Sequence, residues 1–335
     1  MRFLKNFSGL FKILFNERGS AQVTTAMIDM FSANVMHLSQ QSESRLFPFC
    51  RKESQKAESA FYDRVGLQEA RDKEGRHAKV VYSDTPHSRR MVTMLDKYAA
   101  DLVDKEDKLR TIMNLDNEYA ISIAQSLGRA MDTIIIDAAV GNAYGGKQGA
   151  TAVALPDTQK VVAFDGTATT GTGLNIETLR AVKKKFHQNE AVKKGKLIIF
   201  VYAAQQMDDL LGNTEVTSAD FNSVKALVQG EVDSFMGFKF IQTELLNFTE
   251  AAITYTKTTG DIATPGNATL ASGEGRVCFA FVDNSALLAA MGQQVEGKIT
   301  EMPEYHYAKQ VYGSLSMGAT RMEEVQVVAV YCKEV

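Results

Sequence analysis

The chain has 335 residues, 45% of them hydrophobic and 23% charged, with a formal net charge of -3; it can bury a sizeable core and suits one large or two medium domains. A sequence pI of about 6.0 gives no global positive field, so any contact with nucleic acid has to be local. Cys50, Cys278 and Cys332 lie far apart without a paired motif, which argues against a disulfide framework or structural zinc and for inert thiols in a reducing compartment.

Residues 1–20, MRFLKNFSGLFKILFNERGS, space Phe3, Phe7, Leu10, Phe11, Leu14 and Phe15 helically beside Arg2, Lys5, Lys12 and Arg18. They predict a short basic amphipathic helix, better suited to packing on a neighbouring surface than to a membrane. The segment lacks a continuous apolar core and a small-residue cleavage site, so no signal peptide is read and none is expected to have been removed before Met1. No apolar run approaches the roughly 20 residues of a membrane span. From Gln22 to Cys50 an arm without its own core is expected, leaving in extended form before Pro48.

Between residues 51 and 105, AFYDRVGL and AKVVYSD flank the charged tip ARDKEGRH, and RRMVTMLDKYAADLVD follows. The first two pieces predict an extended hairpin that needs something to lie on, because a two-stranded ribbon has no core. Asn114 to Tyr144 then predicts a long helix, with Leu115, Tyr119, Ile123, Leu127, Ala130, Ile134 and Ala138 in one stripe and Asn114, Glu118, Gln125, Arg129 and Asp132 opposite. Gly141, Gly145 and Gly146 end it.

Short strands and turns are expected over residues 145–173, and a helix from Asn175 to about Ala191. LIIFVYA reads as a strand buried on both faces. AAQQMDDLLG and Ser218 to Gln229 read as helices, GFKFIQTELL as a strand from Gly237, and Asn247 to Gly275 as a turn-rich insertion. VCFAFVD reads as a buried strand, NSALLAAMGQ as a helix and QVVAVYC as the final strand. The fold class is therefore α+β.

Sites for chemistry do not assemble from these residues. Gly141 to Lys147, GNAYGGK, shares spacing with a phosphate-binding loop, but Gln148 stands where a magnesium-binding hydroxyl is required and a helix precedes the loop where a strand is needed. His37, His77, His87, His187 and His306 form no ligand set, so no metal or cofactor is expected. Asp208 and Asp209 read as ordinary helix charges, and Lys183, Lys184, Lys185, Lys193, Lys194 and Lys196 as a solvated helix end ahead of a phosphate-contacting patch.

Three stretches carry a resemblance. QGEVDSFMGFKFIQTELL resembles a helix-to-strand segment in which Glu244 replaces a common Asn. DLVDKEDKLRTIMNLDNEYAISIAQSLGRAMDTIII resembles the entry to a spine helix, and YGSLSMGATRMEEVQVVAVYC resembles closing strands with a small-residue turn at Gly318-Ala319 before Arg321. With the element order, these resemble the major capsid protein of tailed double-stranded DNA bacteriophages, the Hong Kong 97-type fold, over about Thr24 to Val330. The resemblance implies an N-terminal arm at 1–53, an extended β-hairpin loop at 54–95 and a peripheral domain with the spine helix at 96–174. An axial domain at 175–285, with its insertion at 247–275, and a return to the core at 286–335 complete it.

It further implies a structural protein without catalytic residues, forming hexamers and pentamers of an icosahedral shell around packaged DNA, assembled in the host cytoplasm and resident in the virion. Axial tips would join the capsomers, the loop would lie over the next subunit, and the arm would reach another. Arg71, Asp72, Lys73, Glu74, Arg76, Asp104, Lys105 and Glu106 would make inter-subunit ion pairs, and Arg2, Lys5 and Lys12 would face DNA. A separate scaffolding protein, a portal and a decoration protein are the other implied partners, with no membrane involved. Two further readings stand beside it: an encapsulin-like compartment shell, and an oligomeric enzyme with a dispersed site.

Overall fold

The computed structural model describes residues 41, 43–72, 75–77, 79–80, 82–104, 115–164, 171–212, 234–249, 253–256 and 267–334. The first elements are β1 (Arg51–Ser54), β2 (Ser59–Val65), β3 (His87–Thr93), β4 (Leu95–Val103) and the long helix α1 (Leu115–Val140). Then come β5 (Ala143–Gly145), β6 (Thr151–Val153), β7 (Lys160–Val162), α2 (Ile176–Gln188), β8 (Ile198–Tyr202), α3 (Ala204–Gly212), β9 (Ser234–Phe235) and β10 (Phe238–Gln242). The chain closes with β11 (Ile253–Thr256), β12 (Asn267–Leu270), β13 (Gly275–Val282), β14 (Leu287–Met302), β15 (Ala308–Arg321) and β16 (Val327–Lys333). The α+β class is as expected. The expected helices at 1–20 and 218–229 lie outside the described residues.

The main core is a six-stranded sheet in the order β7-β16-β13-β8-β10-β9. β8 is central, parallel to β10 and antiparallel to β13, which is what its continuous apolar sequence requires of a strand covered on both faces. Phe200 packs against Phe238 and Phe240 with ring centroids 6.0 and 5.6 Å apart, and Phe279 stacks on Phe281 at 5.8 Å. α2 buries Ile176, Leu179, Val182 and Phe186 on one face, and Asn175 caps it by accepting from the Thr178 amide at 2.8 Å. Glu244, the departure from the resembled pattern, accepts the Ala204 amide at 2.7 Å and so caps the start of α3.

A four-stranded sheet has the order β1-β14-β15-β4. Here NSALLAAMGQ corrects its expectation: Leu287–Met302 is one 16-residue strand, not a helix. Leu and Ala favour helix, but a short apolar run has no period that separates buried strand from buried helix, and parallel pairing of Arg51–Ser54 with Leu288–Met291 decides it. Gly318-Ala319 also differs: both lie inside β15, and the turn follows Arg321. A Cβ at residue 318 would collide with the Thr93 carbonyl and the Val92 side chain, so this glycine permits close strand approach and makes no turn.

The third sheet, β2-β3-β5-β6, contains the hairpin. Its second strand is HSRRMVT, paired from Ser59↔Thr93 to Val65↔His87, and not AKVVYSD. β3 buries Arg90 and Val92 alternately, whereas Val80 and Tyr82 are exposed, so propensity pointed to the wrong partner and packing chose the right one. Pro48 likewise sits in a 3-10 turn at Phe47–Phe49, with extended backbone beginning only at Cys50.

The chain divides into two compact units. One contains the described residues 99–104, 115–123 and 297–313, and the other 41–98, 124–296 and 314–334. In the first, Val103 and Val311 pack with Tyr119, Ala120 and Ile123, two of which belong to the expected helix stripe. The second holds the six-stranded sheet and a cluster of Val92, Leu288, Ala290 and Met322. α1 contributes residues to both; its 26 residues span about 39 Å at about 1.5 Å each.

Candidate functional site

The functional geometry is a set of anchors and exposed strands. At the middle of α1, Asp132 is 0% exposed, contrary to its expected place on the polar side. Its Oδ1 accepts from Ser44 Oγ at 2.5 Å and the Leu46 amide at 3.1 Å, and its Oδ2 from Gln41 Nε2 and the Arg45 amide, the latter at 3.0 Å. Arg45 Nη1 donates to the Gln242 carbonyl at 2.5 Å, and Leu46 and Cys50 are fully buried. The end of the expected coreless arm is thus built into the core. Sequence periodicity missed this because three and four residue steps assign a face, not a partner.

A second anchor holds the paired strands of the hairpin. Arg64 on β2 and Arg90 on β3 both reach Glu324; the Arg64 ion pair is 3.5 Å long, and Arg64 also donates to the Met322 carbonyl. Arg90 is only 4% exposed, and burial pulls its guanidinium below its ordinary value, partly offset by Glu324. Arg321, fully buried, donates to the carbonyls of Ala139 and Gly141 at 2.9 Å and of Val153 at 3.1 Å. It thereby satisfies carbonyls at the end of α1, where a helix leaves its last acceptors unpaired. Burial lowers its pKa too.

Beyond these anchors the strands are unusually bare. Every residue of β14 from Gly292 to Glu301 is exposed on both faces, and β4 exposes Leu95, Tyr98 and Leu102. On the hairpin, Val65, Leu67, Val80 and Tyr82 are exposed, Leu67 at 95% and Tyr82 at 89%. Large apolar side chains left exposed in this way mark candidate interaction surfaces. Of the expected ion-pairing residues, Arg71, Asp72, Arg76 and Asp104 are exposed, while Lys73, Glu74, Lys105 and Glu106 lie outside the described residues, as do Arg2, Lys5 and Lys12.

The groups weighed for chemistry have structural roles. GNAYGGK follows α1 and forms β5 and the turn to β6, with Gly146 and Gly149 at φ 85° and 73°. Lys183 donates to the Met236 carbonyl at 2.9 Å and Lys185 to the Thr158 carbonyl at 2.5 Å, so two of the six clustered lysines tie the main chain. Asp209 accepts from Gln205 at 3.2 Å, and burial raises its pKa. All three cysteines are buried and reduced; burial pushes the Cys50 thiol up to about 12, and a hydrogen bond with Cys278 together with burial raises Cys332. Among the described residues no group of acidic, His or Cys side chains could hold a metal, and no helix is long and apolar enough to cross a membrane.

A family model described as phage capsid protein matches residues 23–334. No curated protein matches the sequence. Among solved structures, the capsid of cyanophage P-SCSP1u matches with a TM-score of 0.68 at 16% identity, over 99% of this chain and 100% of that one. The capsid of Ralstonia phage GP4 gives 0.66 at 8% identity, over 91% and 94% of the two chains. The asymmetric unit of the mature capsid of bacteriophage PhiM1 gives 0.62 at 10% identity, over 92% of each. At such identities these likenesses establish the fold.

Proposed function

The chain belongs to the phage capsid protein family and has the Hong Kong 97-type fold, and from that premise we propose that its copies assemble as hexamers and pentamers of an icosahedral shell around packaged double-stranded DNA. As a capsid protein it is a structural component of the virion that associates with itself. The observation that carries the finer reading is the exposure of both faces of β14 beyond Gly292 together with the apolar side chains of the hairpin. Apolar side chains left exposed on strands mark an interaction surface, and in a symmetric assembly copies of the same chain cover it.

In this reading residues 1–53 are the arm, 54–95 the loop laid over the next subunit, 96–174 the peripheral domain, 175–285 the axial domain with its 247–275 insertion at the capsomer centre, and 286–335 the return. Arg71, Asp72, Lys73, Glu74, Arg76, Asp104, Lys105 and Glu106 pair across subunits. Each exposed pair is worth under about 1 kcal/mol, and repetition over the shell makes the sum large. Arg2, Lys5 and Lys12 supply a local basic contact with DNA that a chain of net charge -3 lacks overall. A scaffolding protein guides closure, a portal admits DNA, and a decoration protein is an optional outer partner.

Electron microscopy of the purified protein, with and without scaffold, and its mass by light scattering test this directly. Closed shells or free capsomers are the expected result. A monomer or dimer that never assembles with scaffold present overturns it, and shells filled with an enzyme cargo in place of nucleic acid move it to the compartment reading.

A further inference from the structure

Residues 43 and 44 cross α1 at Gly128, where a Cβ would lie 3.3 Å from the Ser44 nitrogen and 3.4 Å from the Glu43 main chain. One helical turn on, at the same face, Asp132 meets the same strap. A buried carboxylate is costly, and a well-packed apolar residue would serve the helix as well or better. Each oxygen of Asp132 takes one side-chain donor and one main-chain amide, and all four donors belong to residues 41–46. The charge is used to hold the strap.

We propose that Asp132 is a positioning residue for assembly, a latch that seats the strap in the Gly128 notch and fixes the point from which residues 1–40 depart. This rests on the capsid reading, in which those residues contact a neighbouring copy. The latch gives every copy the same arm root. The notch and the carboxylate work together: a side chain at 128 would lift the main chain that the carboxylate draws in.

Asp132→Asn tests it with almost no change in volume. The amide nitrogen is a donor, so the main-chain amide of Arg45 or Leu46 that faces it loses its acceptor. Exchange of the Arg45 or Leu46 amide, whichever faces the new donor, should quicken roughly tenfold or more while β13 and β16 amides keep their protection. Under conditions where the unchanged chain forms shells, the variant should give fewer or misshapen ones. Gln41→Ala with Ser44→Ala, which keeps both main-chain bonds, should shift both readouts the same way by less. Strap amides that stay protected in Asp132→Asn, or a freed strap with shells of normal yield and size, overturn the latch. If Asp132→Asn does not fold, the double variant decides, and normal shells from it overturn the proposal. Absence of shells from the unchanged chain overturns the capsid reading itself, and the latch with it, whereas equal shells from all chains remove the latch alone.

Discussion

The six-stranded sheet and the exposed strands solve opposite problems with the same kind of backbone. In β8 and β13 nearly every side chain is inside, whatever face it points to. In β14 beyond Gly292 and in the hairpin the strands run on with little to bury against. The difference teaches that one body of this chain is sealed by its own side chains while other strands keep their side chains in solvent, where the proposed assembly would place neighbouring copies.

Four measurements can break or sharpen that contrast. The largest expected effect is in the sheet: Phe279→Ala empties a fully buried site next to Phe281 and should cost about 3–5 kcal/mol in denaturant unfolding. A cost near zero would mean the sheet is not the stable body. Arg321→Met comes next, at about 3 kcal/mol, because three carbonyls lose a charged donor while the apolar volume is kept.

Alkaline pH probes the same body more gently. The folded chain keeps the Cys50 proton up to about pH 12, whereas the unfolded chain releases it near the ordinary 9.0. The unfolded state therefore binds fewer protons above pH 9, and stability, complete below that value, falls as pH rises towards 12, by roughly 2 kcal/mol at about pH 10.5 from this thiol. Cys332 acts in the same direction. Flat stability across that window would show that the thiols are not sealed. The smallest effect on stability belongs to the hairpin: Leu67→Ser with Tyr82→Ser should stay within about 0.5 kcal/mol of the unchanged chain yet lower shell yield. A large loss of stability would show that these side chains serve their own subunit.

Much of the sheet was legible because its signals are local. LIIFVYA is apolar throughout, and its β-branched Ile198, Ile199 and Val201 favour a covered strand over the helix that a short apolar run also allows, while Asn175 followed by Ile176, Leu179, Val182 and Phe186 is both cap and apolar stripe. The anchors were not legible. Nothing near Asp132 in sequence distinguishes it from Arg129 or Gln125, because its donors come from residues about 90 positions earlier. Glu324 is equally mute until the fold brings it to Arg64 and Arg90. The hairpin was paired with AKVVYSD for the same reason: strand propensity identifies a candidate, but Arg90 and Val92 find burial and Val80 and Tyr82 do not.

The sequence by itself determined the α+β class, the long helix, the buried strands, the sealed thiols and, through patterns of residues along the chain, the family resemblance. Tertiary structure alone decided that Leu287–Met302 is a strand, which segment completes the hairpin, and that a carboxylate on the helix holds the strap. The physical reason is range. Periodicity, capping and turn chemistry act over a few residues, whereas strand partners and buried ionic contacts join positions tens to hundreds of residues apart, and only the folded chain makes them neighbours.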